Sequence, residues 1–245
     1  MQEQPLHSKN SELYADPNLA EGVDYARRHR RHERFDDSLA RTTDVAKTVI
    51  LAPHGGGIEP GTSELCLALA GYHPTNLPDT PPAAVTYDYW MFEGVREGDN
   101  ALLHVPSVGC DDGVAEWLCA AALNAVSLHG FEPKPPLPED KRLVLVGGAD
   151  EELRKLLLRT LDAAGLPVED AAGRGELDGN SSLNIVNRTR RGEGAQMELS
   201  KPLRETMFTV NTRPRRKHTT TEVFWTFVAA CRDAIDRFEA GQVIV

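Results

Sequence analysis

The chain has 245 residues, 40% hydrophobic and 26% charged, long enough for a large domain whose core keeps water from a site. Its 27 Lys and Arg against 37 Asp and Glu leave a net charge of −10, which opposes binding to nucleic acid or to an anionic membrane surface. No apolar run approaches the ~20 residues of a membrane span, and the scattered Cys66, Cys110, Cys119 and Cys231 offer neither a CxxC zinc motif nor a disulfide framework.

Residues 1–20 are polar and turn-rich and are expected to form a flexible arm ahead of a single domain over 21–245. They lack the apolar stretch and small-residue cleavage site of a secretory signal, which points to the cytoplasm. The basic run from Tyr25 to Arg34 reads as a solvated segment pairing with the acidic bulk, or else as a cluster for phosphate or polyanion. Thr48 to Ala52 is continuously apolar and β-branched, as in a strand buried on both faces, and it stops at Pro53-His54-Gly55-Gly56-Gly57. Asn124 to Leu128, ending at His129-Gly130, and Leu143 to Val146, ending at Gly147-Gly148, predict two more strands. Leu183 to Val186 and Ala195 to Leu199 are predicted as a further pair.

Helices are expected over Ser63 to Leu69, Asp112 to Leu123, Asp150 to Ala164 and Glu222 to Ala240. Asp150 caps the third and Gly165 ends it. The proline-rich pieces 74–82 and 133–138 read as surface loops. Alternating strands and helices predict an α/β fold, an open twisted mixed, largely parallel sheet flanked by helices.

Such sheets place their sites beyond the carboxyl ends of the strands, where both His54 and His129 fall. The glycine turn after His54 allows Glu59 to fold back, and two histidines with a glutamate form a common catalytic zinc set. Glu64 is a rival ligand, although its place after Ser63 suits the first turn of a helix. Glu198 is a carboxylate inside an apolar strand, a placement that is rare unless the group is paired or functional. It either faces outward on an edge strand or takes a proton from the attacking water and passes it to a leaving amine. The stretch from Asn187 to Arg204 is locally basic and offers a grip for a carboxylate, with Asn187 and Arg188 at the predicted end of a strand.

The string His54-Gly-Gly-Gly-Ile-Glu-Pro-Gly-Thr-Ser-Glu64, with His129-Gly130, Val146 to Asp150, Asn184 to Arg188 and Gln196 to Ser200, resembles the poly-γ-glutamate hydrolase family known from bacteriophages and bacteria. That family is related to the zinc carboxypeptidases. The resemblance implies a zinc-carboxypeptidase-like fold and one zinc ion (Zn2+) on His54, Glu59 and His129. It implies that Glu198 is the catalytic glutamate, that Asn187 and Arg188 correspond to the substrate-carboxylate site, and that Arg204 joins the substrate-binding residues. The implied substrate is an anionic γ-glutamyl polymer or peptide, met in the cytoplasm or after cell lysis if the gene is phage-borne. The chain departs from the family at His104 to Gly113, where members usually carry a segment with His, Phe and Asp-Glu-Pro; this stretch is expected to border the cleft. Hydrolysis of a small N-acyl amino acid or peptide, and a non-catalytic phage or structural protein retaining the fold, are the alternatives.

Overall fold

A computed structural model describes residues 6–32, 47–75 and 82–242. Seven strands make one sheet: β1 (Tyr25–Arg30), β2 (Thr48–Gly56), β3 (Asp88–Gly94), β4 (Asn124–Phe131), β5 (Val144–Gly147), β6 (Val168–Asp170) and β7 (Ala195–Ser200). Their order is β1-β3-β2-β4-β7-β5-β6, with β1·β3 and β5·β7 antiparallel and the other neighbours parallel. The expected mixed, largely parallel sheet is what the chain forms. The apolar runs give the central strands β2 and β4, and the alternating Ala195, Met197 and Leu199 give β7; all three are almost wholly buried because helices cover both faces.

The helices are α1 (Asn10–Ala15), α2 (Thr62–Leu69), α3 (Gly113–Ala121), α4 (Glu151–Ala163), α5 (Lys201–Thr206) and α6 (Glu222–Ala240). Among the described residues none is long and apolar enough to cross a membrane. On one face Ile50, Val126, Leu128, Met197 and Leu199 pack with the apolar stripes of α2, α4 and α6. On the other Val49, Leu51, Trp90 and Phe92 pack with α3 and with Leu13 of α1. Strand residues alternate between faces, so His129 and Glu198 lie opposite the Leu128 and Met197 face. The predicted N-cap forms, the Asp150 side chain accepting from Leu153 N–H, and Asp112 caps α3 in the same way by accepting from Val114 and Ala115 N–H.

Two expectations are corrected, and the basic run, which pairs with acids as expected, gains a regular structure. The described part of the 1–20 arm carries α1, whose Leu13 is fully buried and whose Tyr14 stacks on Tyr25 at 5.4 Å, so apolar anchoring overrides the polar composition. Leu183 to Val186 is not a strand: the Asn184 side chain accepts a bond from Val186 N–H and starts a 3-10 turn at Ile185–Asn187. The basic run is an edge strand over Tyr25–Arg30, antiparallel to β3, in which Arg27 pairs with Glu21 and Arg28 with Glu93. Glu33 and Arg34 of that run, residues 1–5 of the arm and most of the piece 74–82 lie outside the described residues.

Candidate metal centre

His54 sits where β2 is irregular. Its register with β3 slips between Ala52 and Gly55, a bulge at Pro53, which has no N–H for the ladder. Bulges re-aim side chains, and this one is followed by Gly56 at φ +66°, where an added Cβ would stand 2.3 Å from Gly94 O. The turn then returns on itself, with Glu59 N–H donating to His54 O at 2.9 Å.

That turn sets the Glu59 carboxylate between two strands. Its Oε1 lies 2.9 Å from His54 Nδ1, and its Oε2 accepts from Gly130 N–H at 2.7 Å. His129, on the adjoining β4, brings its Nδ1 to 3.0 Å from His54 Nδ1 and 3.8 Å from Glu59 Oε2. Residues 75 positions apart therefore meet at one buried point. Burial opposes a charge on His54, but the Glu59 carboxylate outweighs it and raises the proton affinity. Burial first and His54 second push His129 well below its ordinary value, so it stays neutral.

The divergent segment does border this point. His54 Nε2 donates to Val105 O at 2.7 Å, and Ser107 Oγ lies 3.4 Å from His129 Nε2. Both contacts engage the ring nitrogen remote from the centre, which directs each Nδ1 inward. His104 stacks on His54 with ring centroids 3.9 Å apart, and its Nε2 is 3.9 Å from Glu59 Oε1. His54, Glu59 and His104 offer ligand atoms within 4.8 Å of one another. The neighbouring His54, then burial, push His104 down to about 3. Sequence reasoning did not single out His104 as a ligand, because no spacing or strand end ties it to His54.

Glu198 faces the same side from β7, in register with His129 across the β4·β7 ladder. Gln196 Nε2 donates to its Oε1 at 3.0 Å, and Gln196 in turn accepts from Asn184 Nδ2 at 2.8 Å. Burial, and then the Glu59 charge, raise the Glu198 carboxyl well above the usual range, against the pull of Arg204. Of the two readings left open for this residue, the inward one matches its place. Glu64 lies apart: its Oε1 is 3.4 Å from Arg216 Nη1, in the first turn of α2.

The expected carboxylate grip is rearranged. Arg188 spends every guanidinium donor inside the protein, on Leu183 O, Val108 O, Cys110 O and the Glu116 carboxylate. Asn187 is equally committed, donating to Gly179 O and Ser181 O and accepting from Ala149 and Gly194 N–H. These two residues fasten loops and have no donor left for a substrate. Arg204 is buried beside the centre, with Nε on Leu199 O and Nη1 on Pro60 O, and it makes no Nη2 hydrogen bond among the described residues. Gly130 admits it, since a Cβ there would meet the Arg204 Cζ at 2.5 Å.

The model of the poly-gamma-glutamate hydrolase family matches residues 25–230. The SPbeta prophage-derived protein YoqZ of Bacillus subtilis (strain 168) is 34% identical over 189 residues, 77% of this chain and 62% of YoqZ. YmaC of the same organism is 29% identical over 78% of this chain and 73% of its own length. The matched stretch thus spans less than two thirds of YoqZ. A bacteriophage poly-gamma-glutamate hydrolase superposes with a TM-score of 0.78 at 25% identity, covering 98% of this chain and 100% of that one. A YndL structure described as apo and zinc-free superposes at 0.73 with 24% identity, covering 98% and 100%, a likeness of fold. With the family's pattern matched across most of its length, the chain belongs to the poly-gamma-glutamate hydrolase family.

Proposed function

We propose that this chain is a zinc-dependent amidohydrolase that cleaves γ-glutamyl amide bonds in poly-γ-glutamate or a related γ-linked peptide. The observation that carries the reading is the meeting of His54, His129 and Glu59, with Glu198 on the next strand. The donor atoms stand 2.9, 3.0 and 3.8 Å apart. Nitrogen and oxygen ligands about 2.0–2.1 Å from a tetrahedral zinc are themselves roughly 3.3 Å apart, so the set fits this ion. Where a proton is favoured on His54 by Glu59, a cation is favoured too, and the two compete. The zinc-free description of YndL concerns YndL and agrees with this choice of metal.

His54, Glu59 and His129 would hold the ion, and His104 stands within reach as a further donor. When bound, zinc would supply Lewis acidity toward an amide carbonyl and lower the pKa of the attacking water toward neutrality. Glu198 receives the proton of the attacking water at a carboxylate oxygen and returns it to the departing amine. Arg204, rather than Arg188, presents a guanidinium to a substrate carboxylate or to the carbonyl oxygen as it gains charge.

The test is digestion of poly-γ-glutamate beside poly-α-glutamate, with product sizing and metal analysis of the same preparation. The reading expects about one zinc per chain and shortening of the γ-linked polymer alone. Cleavage confined to small N-acyl amino acids, or no cleavage by fully loaded protein, contradicts it.

A further inference from the structure

We infer that the loop 211–218 is a docking strip for carboxylates of the substrate chain beyond the bond that is cut. The inference rests on the hydrolase reading above and adds where the rest of the polymer lies. On a chain of net charge −10, this loop carries Arg213, Arg215, Arg216 and Lys217, and no acid occurs between Glu205 and Glu222. Such a local reversal of sign draws a polyanion that the rest of the surface repels.

The loop is held by its one buried cation. Arg216 donates through Nε to Asn211 Oδ1 at 2.6 Å, approaches Glu64 at 3.4 Å and covers the Phe208 ring. The base is closed by Thr209 N–H on Thr219 O at 2.8 Å. With Arg216 turned inward, Arg215 stays exposed and Lys217 half-buried, and among the described residues neither forms an ion pair.

Its position relative to the centre is set by two contacts. Arg213 donates to Gly94 O and Val95 O, and Gly94 O also accepts from Gly57 N–H at 2.9 Å, at the start of the turn carrying Glu59. Phe208 packs against Gly61 at the end of that turn, where a Cβ would meet its ring at 3.0 Å. The strip thus flanks the Glu59 turn. A polymer with one carboxylate per residue, seated with its amide at the centre, runs past Arg215 and Lys217. A loop already held in place spends little ordering entropy on binding.

The test is equilibrium binding of poly-γ-glutamate and of a γ-glutamyl dipeptide, measured in Glu198→Gln protein with and without Arg215→Gln/Lys217→Gln. The double change weakens polymer binding about fivefold, much more than dipeptide binding, and lessens the salt dependence. Arg215→Lys/Lys217→Arg restores affinity, and the melting temperature serves as the fold control. Unchanged polymer affinity overturns the inference, and so does an equal loss for single-stranded DNA, which would mark a general polyanion surface. Because binding needs no turnover, failure of the hydrolase reading shows instead as absent cleavage by the wild type with polymer binding intact.

Discussion

His54 Nδ1 and His129 Nδ1 face each other 3.0 Å apart across neighbouring parallel strands, each ring held from behind by the segment that follows His104. Under the proposed function, these two buried imidazoles and the Glu59 carboxylate beside them would hold the ion. His54→Ala and His129→Ala should each abolish zinc retention after dialysis, as read by atomic absorption. Full zinc occupancy in both variants rules the site out.

Glu59 and Glu64 are told apart by their surroundings. Glu59→Gln should lose zinc while folding normally. Glu64→Gln should keep it and lower stability by about 1–2 kcal/mol, because the buried Arg216 loses its carboxylate partner. Thermal melts and zinc analysis of both variants check this, and the opposite pattern reassigns the ligand.

Ser107→Ala removes the hydroxyl that the divergent segment places behind His129. Partners of this kind are worth 10–100-fold in metal affinity when well placed, and at 3.4 Å the expected loss is about tenfold. Competition with a chelator measures it, and an unchanged dissociation constant speaks against an orienting role.

The central strands were legible because β2, β4 and β5 are largely apolar runs and β7 alternates Ala195, Met197 and Leu199 with polar residues, patterns independent of distant contacts. Strand β1 was not, since Arg27, Arg28 and Arg30 mask an edge strand whose charges are met by Glu21, by Glu93 and by the Tyr72 ring. Strand β3, with Tyr89, Trp90 and Phe92, carried a strand signal in its aromatic residues that the reading passed over. His54, Glu59 and His129 could be named because strand ends and a glycine turn constrain where they go. Arg188 misled, because residue type says nothing about whether its donors are already taken.

That commitment has a consequence. Arg188→Ala should lower stability by about 2 kcal/mol and shift the KM of substrates with and without a free carboxylate alike. Arg204→Lys should raise KM selectively for the substrate carrying the carboxylate. A carboxylate-selective effect at Arg188 returns it to the binding site.

Leu13→Ala tests the corrected N-terminal segment. A fully buried leucine in the second core costs about 2–4 kcal/mol when truncated, whereas a leucine in a loose arm costs nothing measurable. Urea unfolding of the variant reads this directly.

The central claim is that Glu198 moves the proton at a metal centre it does not help to hold. The most direct measurement is zinc content and poly-γ-glutamate hydrolysis rate on one preparation of Glu198→Gln beside wild type. The account predicts zinc at the wild-type level with turnover reduced by ~10²–10⁴. Hydrolysis at the wild-type rate, or loss of the zinc itself, contradicts it.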